Sequence, residues 1–168
     1  VGDLKIGQGS YESITRRGTL NSITIGNYSS IADGCICDGG FGHNTKFVTT
    51  YPFNQKLKNC AHLAGHPVCR GDIHIGSDVW IGEGCLIMSG VTIGDGAVVG
   101  ARSIVTKDIL PYSIVVGSPA KITKKRFTDE QINILLDIKW WNWDEQKIID
   151  NAHLLMSEDI NSFITAHS

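Results

Sequence analysis

A branched aliphatic residue returns at every sixth position, without a slip, from residue 75 to 105: Ile75, Ile81, Ile87, Ile93, Val99 and Val105. The fifth position of each unit is also small or apolar, reading Val79, Cys85, Val91, Ala97, Ser103 and Ile109, and Gly76, Gly82, Gly94 and Gly100 follow four of the aliphatics. A helix of 3.6 residues per turn would smear this pattern around all its faces, whereas short strands joined by turns bring every sixth residue back to one axis. The pattern predicts a mainly β chain wound as a parallel β-helix, each unit forming one side of a coil and successive coils stacking their strands. With three sides to a coil, the units from 75 to 110 make about two coils, or roughly 10 Å of prism at ~4.8 Å per stacked strand.

A self-sufficient core needs more coils. The same spacing appears upstream in Ile25, Ile31 and Cys37, with fifth positions at Ser29 and Cys35, and again at Cys69 with Ile73. The separation of Ile31 from Ile75 is not a multiple of six, so residues 38–68 are expected to leave the prism as a protruding loop. At 168 residues with 42% apolar content, the chain suits one prism plus a cap, and nineteen glycines against four prolines fit many tight corners better than disorder. The formal charge of −2 gives no footprint for nucleic acid, and no apolar run reaches the ~18–20 residues of a membrane span. The opening residues from Val1 to Lys5 lack the basic-then-apolar layout of a secretory signal, although the chain does not begin with Met. Cys35, Cys37, Cys60, Cys69 and Cys85 are an odd set without zinc spacing, which points to reduced thiols in a cytoplasmic protein. Cys37, Cys69 and Cys85 fall at repeat positions where a small hydrophobe belongs, a better reading than a catalytic thiol.

From residue 127 the texture changes. Thr128 with Gln131 forms a capping box before Ile132, Leu135 and Leu136, and Asn142 with Glu145 forms a second before Ile148, Ile149, Ala152 and Leu155. A third short helix starts at Ser157 and carries Ile160, Phe163 and Ile164. The predicted organisation is a β-helix over 1–126 and a helical cap over 127–168, the cap lying over the last coil to cover its open strand edge. Trp140, Trp141 and Trp143 admit a sugar-stacking reading, but packing between cap and prism fits them better.

The stretch IGSDVWIGEGCLIMSGVTIGDGAVVGARSIVTKDILPYSIVVGSPAKITKKRF, followed by LLDIKWWNW, resembles the hexapeptide-repeat acyltransferases. Upstream, GHNTKFVTTYPFN is similar to the active-site histidine segment of the xenobiotic acetyltransferase branch, which includes the streptogramin and hexapeptide-type chloramphenicol acetyltransferases. The resemblance runs from about residue 23 to 165. It implies a left-handed coil, against the usual right-handed crossover, a homotrimer, and acetyl-CoA in the cleft between neighbouring subunits.

Moving an acetyl group from a thioester to an alcohol requires removal of the hydroxyl proton as the oxygen attacks, and imidazole is the best-matched base near neutral pH. His43 follows Gly39, Gly40 and Gly42, and the matching histidine in the relatives is the general base. His66, in GHPV, echoes the histidine segment of the sugar acetyltransferases and is the alternative base. Direct transfer in a ternary complex needs no covalent acyl-enzyme, and a backbone N–H at a coil corner can hold the oxyanion. The resemblance further implies that Trp80, Ala101, Thr106, Lys107, Lys121 and Lys124 line the CoA site. Positions 121 and 124 are often Arg in the relatives, so bidentate phosphate contacts become single-point ones here. Lys125 and Arg126 extend the cationic run, and Glu83, awkward beside phosphate, is left out.

The antibiotic-modifying relatives carry an insertion between their first coils that SYESITRRGTLNSITIG does not contain. A shallower site is therefore expected, suited to a sugar or glycan hydroxyl and touched by Tyr11, Asn44 and Phe53. Chloramphenicol or a group A streptogramin as acceptor, or a sugar amine, are the alternatives. A non-catalytic β-helix module is a different class of reading, as is a metal hydrolase using three of His43, His62, His66 and His74. No metal is expected.

Overall fold

A computed structural model describes residues 2–18, 21–40 and 42–167. Expectations touching Val1, Thr19 and Leu20 lie outside these residues. The chain winds as the predicted three-sided prism of a left-handed β-helix. Sheet A stacks β1 (Leu4–Ile6), β3 (Ile23–Ile25), β6 (Ile73–Ile75) and β9 (Thr92–Ile93). Sheet C stacks β2 (Ile14–Arg17), β5 (Cys35–Asp38), β8 (Leu86–Ile87) and β11 (Ile104–Val105). Sheet B stacks β4 (Ser30–Ile31), β7 (Trp80–Ile81), β10 (Val98–Val99) and β12 (Ser113–Val116), all parallel, and ends in β13 (Lys121–Lys125).

The six-residue period is the reason for this shape. Ile25 pairs with Ile75 and Ile75 with Ile93, while Ile81 pairs with Val99 and Ile87 with Val105, so each aliphatic lands on the same residue class one coil on. These side chains and the fifth-position residues Val79, Cys85, Val91, Ala97 and Ser103 are all buried along the prism axis. Small residues are needed at the corners as well: a Cβ on Gly82 would stand 2.7 Å from the Ala101 nitrogen in the coil above. Burial pushes the Cys37 thiol up to about 12, with Cys35 and Glu12 adding to the shift and Arg16 opposing it. The Cys85 thiol is also raised, chiefly by burial. These are packing thiols. Cys69 departs from the expectation, being only half-buried and packed against Gly40 in the returning loop, while Cys35 takes a core place.

The loop leaves after Asp38 and re-enters at Ile73, several residues later than its predicted end at 68. The difference arises because Gly42 and Val68 close the base of the loop as an antiparallel bridge, with N–H···O distances of 3.2 and 2.7 Å, outside the prism rather than in it. The loop contains a short helix, α1 (Phe53–Lys56), and a 3₁₀ turn at Lys58–Cys60.

The cap consists of α2 (Asp129–Ile138), α3 (Glu145–Leu155) and α4 (Ile160–His167). Thr128 and Gln131 make the predicted capping box. The second box does not form: Trp140–Asn142 is a 3₁₀ turn, so Asp144 becomes the N-cap of α3 and accepts from the Lys147 N–H at 2.9 Å. The third helix starts at Ile160 rather than Ser157, with the Asp159 carboxylate accepting from the Ser162 N–H at 3.1 Å.

The cap also sits elsewhere than predicted. It runs along the corner between sheets A and B, from Asn27 and Tyr28 to Leu110, Pro111 and Tyr112 of the last coil, instead of lying over the last coil alone. The Trp140 ring lies 5.4 Å from that of Tyr28, and Asn27 Nδ2 donates to the Trp141 carbonyl at 3.1 Å. One coil on, Arg126 donates to Asp78 Oδ2 at 3.0 Å, and its other contacts are the Gly96 carbonyl at 2.8 Å and the Tyr112 and Phe127 ring faces at 5.2 and 5.3 Å. Tyr28, Asp78 and Tyr112 turn this corner with φ of 55°, 54° and 55°, and a Cβ on Gly96 would strike the Tyr112 ring. The exposed strand edge expected to need the cap is instead met by β13, which folds back antiparallel on β12.

Arg126→Met leaves Asp78, whose carboxyl burial already holds above its usual range against the opposing pull of Arg126, without a cation. The variant should lose about 2 kcal/mol of unfolding free energy, discounted from a fully buried pair because both partners are partly exposed. Thermal denaturation followed by Trp fluorescence measures this, and Tm should fall by about 4–8 °C.

Candidate active site

The loop turns one histidine outward and one inward. His43 is exposed, and its Nδ1 lies 2.6 Å from the Thr50 carbonyl. A carbonyl only accepts, so Nδ1 carries the proton in the neutral ring and the Nε2 lone pair is left free. That is the tautomer a general base needs. His66 is buried, and its Nδ1 accepts from the Asn44 backbone N–H at 3.3 Å. Its proton therefore sits on Nε2, a buried atom with no partner among the described residues. With its lone pair committed and its ring covered, His66 is poorly placed to take a proton from an acceptor. The two rings thus differ in exposure and in which nitrogen is engaged.

The loop that carries His43 exposes four large apolar side chains, Phe47, Val48, Tyr51 and Phe53, each more than two-fifths accessible, alongside the exposed polar residues Thr45, Lys46, Thr49 and Thr50. Tyr51 and Phe53 stack at 4.9 Å. Asn44, expected to touch the acceptor, spends its Oδ1 on the Lys46 N–H at 3.0 Å and its own N–H on His66, so both groups serve the loop. His62, His74 and His153 are exposed elsewhere, and His167 stacks on Trp143 and Phe163 at 4.7 and 5.0 Å within the cap. Among the described residues no three His, Cys, Asp or Glu side chains come together as a metal site.

Three of the six residues expected to meet CoA, Trp80, Lys121 and Lys124, lie on sheet B. Trp80 pairs with Val98, Val98 with Ile114 and Ile114 with Lys124, forming one outward column that spans roughly 14 Å at ~4.8 Å per strand. Tyr11 extends it at the other end through its bridge to Ser30, which pairs with Trp80. In a regular strand Lys121 and Lys124 would point to opposite faces. The register shifts between Ile114 and Val115, so that Lys121 pairs with Val116 and Lys124 with Ile114, two residues that share the outer face. The bulge thus gathers two lysines that strict alternation would separate. Among the described residues neither makes a salt bridge, whereas Lys125 pairs with Asp129 and Arg126 with Asp78. Two free ammonium groups beside a long exposed column fit the phosphates of CoA. Ala101 is exposed at the corner between sheets B and C, and Thr106 and Lys107 follow β11 at the corner between C and A.

Sequence reasoning missed two elements of this arrangement. The Thr50 carbonyl that orients His43 is a backbone group, which no residue type announces. The bulge had a faint signal in the three-residue spacing of Lys121 and Lys124.

His43 and the sheet B column are not brought together within one chain. The loop is rooted at the corner where sheet C gives way to sheet A, which in a triangular prism stands opposite the face of sheet B. A cavity of about 380 Å³ lies elsewhere, between Arg126, Tyr112 and the cap, and contains none of these residues.

Lys121→Ala and Lys124→Ala should each raise KM for acetyl-CoA roughly 3- to 10-fold with little change in kcat, as expected for losing one exposed charge-assisted contact. Steady-state kinetics at low and high salt test this, since the penalty should shrink as salt screens the lysines.

Residues 72–107 match the family model described as bacterial transferase hexapeptide (six repeats). The chain is 43% identical over 148 residues to a chloramphenicol acetyltransferase of Morganella morganii, covering 86% of this chain and 70% of that protein. It is 44% identical over 144 residues to a probable macrolide acetyltransferase of Lysinibacillus sphaericus, covering 82% and 79%. Among solved structures, a galactoside acetyltransferase in complex with coenzyme A superposes with a TM-score of 0.55 at 28% identity, over 75% of this chain and 60% of that one. Similarity at this level over most of both sequences, together with the prism, places the chain in the hexapeptide-repeat acetyltransferase family, close to the chloramphenicol and other xenobiotic acetyltransferases.

Proposed function

We propose that the protein is an acetyl-CoA-dependent O-acetyltransferase that transfers acetyl directly to a hydroxyl of an antibiotic, with His43 as general base. The observation that carries the mechanism is the Nδ1 contact of His43 with Thr50, which leaves Nε2 free on an exposed ring. Acetyl-CoA supplies the activated acetyl thioester. His43 Nε2 takes the acceptor hydroxyl proton as the oxygen attacks the thioester carbon, and can return it to the departing thiolate. Lys121 and Lys124 hold the phosphate end, with Trp80, Ala101, Thr106 and Lys107 along the arm.

The acceptor reading moves from the sugar or glycan expected on sequence grounds to a more apolar hydroxyl compound. Two observations favour the change. The relatives above 40% identity over most of the chain bear the names of chloramphenicol and macrolide acetyltransferases, while the galactoside enzyme stands at 28%. In addition, the loop that carries His43 exposes Phe47, Val48, Tyr51 and Phe53, an apolar rim better matched to an aryl or macrocyclic body than to a ring of hydroxyls. The shorter wall inferred from the missing insertion leaves this rim open.

The site is completed by association. With the base on a loop opposite the sheet B column, a second copy must bring its column to the first copy's loop, and three copies around an axis satisfy every site alike. Phe53 and the Thr50 region would then face the Tyr11 and Trp80 column of the neighbour.

Thiol release from acetyl-CoA, measured with chloramphenicol, a group A streptogramin, a macrolide, simple sugars and an amino sugar, tests the acceptor. Turnover is expected on a drug. A sugar as the sole acceptor would overturn the acceptor reading while leaving the mechanism intact. His43→Ala should cost about 10²–10⁴ in kcat, and an undiminished rate would remove His43 as the base. Mixing Lys124→Ala subunits with an excess of His43→Ala subunits should bring KM for acetyl-CoA at the active sites back toward the wild-type value, because most intact His43 loops then face an intact Lys124 from a different chain.

A further inference from the structure

We propose that His66 is a positioning residue for the transfer reaction, holding the backbone beside His43 through its Nδ1 and bracing the His43 ring from the edge. This rests on the reading of His43 as the base. His66 is 9% exposed, at the centre of a loop whose other side chains are mostly exposed. Two separate stretches of the loop, 43–47 and 54–55, converge on it. Its Nδ1 accepts the N–H of Asn44, the residue next to the base, at 3.3 Å. Its carbonyl accepts from Asn54 Nδ2 at 2.8 Å and from Gln55 Nε2 at 3.1 Å. Its ring meets that of His43 edge-on at 5.3 Å and 62°, and that of Phe47 at 5.5 Å and 89°. Gly65, with φ of 122°, leaves the space that the Phe47 ring occupies, so the chain beside His66 is shaped to admit this contact.

An ordinary loop filler would not need to be histidine. The Nε2 of His66 is buried without a partner among the described residues, a standing cost that an aliphatic side chain would avoid. What the imidazole provides is an acceptor on Nδ1 in the same ring that presents a flat edge to His43. The N–H of Asn44 fixes the peptide that carries the base, while the Thr50 carbonyl fixes the base's tautomer. Together they set where Nε2 of His43 points, and small misplacements of a base are expensive in rate.

Two amide substitutions separate this role from simple packing. His66→Asn puts a side-chain carbonyl oxygen near the place of Nδ1, whereas His66→Gln puts it near the place of Nε2. With acetyl-CoA and chloramphenicol, or a group A streptogramin where chloramphenicol is not turned over, His66→Asn should keep kcat within about 3-fold. His66→Gln should lose roughly 10- to 100-fold in kcat with KM for acetyl-CoA unchanged. Nitrogen-15 NMR of the imidazoles should show one Nδ1–H tautomer for His43 in wild type and His66→Asn, and a mixture in His66→Gln. Equal kcat values in the two variants, whether both high or both low, would overturn the proposal. Failure of the base reading is seen separately: His43→Ala would then stay active, whatever the His66 variants do.

Discussion

Everything in this molecule depends on the inward column of one branched side chain per six residues. A helix or a flat sheet can absorb an inserted residue by shifting its neighbours, but a stacked prism cannot, because each side chain rests on its counterpart in the coils before and after. Ile25, Ile75 and Ile93 form one such column and Ile31, Ile81 and Val99 another. Extra chain can therefore be accommodated only at a corner, between one side and the next. The loop that carries His43 obeys that rule: it departs after β5 and returns before β6, so that the prism closes beneath it with Cys37 on Ile87 and Ile25 on Ile75.

The second dependency is polar. The corner between sheets A and B repeats through the coils as Tyr28, Asp78, Gly96 and Tyr112; Trp140 of the cap meets the first through an aromatic contact, and Arg126, just ahead of the cap, meets the other three through an ion pair, a carbonyl and a cation–π stack. Ile132, Leu135, Trp141 and Phe163 then form a core of their own around Tyr112, distinct from the prism axis. The cap leaves the sheet B face and the loop corner uncovered, the two surfaces from which the proposed site is assembled.

The fold was legible because a period of six has few physical solutions, and the buried fifth positions follow it down to Ser103. The Thr128 capping box was legible for a similar reason, since its chemistry is local. The misreadings arose where a local signal competed with the tertiary structure. Cys69 had the right spacing, but the chain around it was still held outside by the Gly42–Val68 bridge. Asn142 had a glutamate three residues on, but the Trp140–Asn142 turn displaced the helix start to Asp144. Helical residues after the last coil suggested a lid, whereas β13 took that place and the helices found the corner. At the candidate site, His43 was proposed from its motif, while the atoms that hold its ring and peptide, the Thr50 carbonyl and the Asn44 N–H bound to His66, involve backbone groups that residue types do not announce. The acceptor was least legible, because the rim around His43 is built from exposed side chains whose meaning depends on what they face.

The corner excursion also divides the prism in time. The coils of β6 to β11 are built from consecutive chain, so their strands find partners after closing short loops. The earlier coils must reach across the excursion, since Ser22 and Asn27 bond to Asp72 and Ser77 at a sequence separation of 50. Loop closure over a longer span carries a larger entropic cost and slows the formation of non-local contacts. The later coils are thus the natural nucleus, and the amino-terminal coils dock onto a surface already made, drawing the ends of the His43 loop together only in that last step.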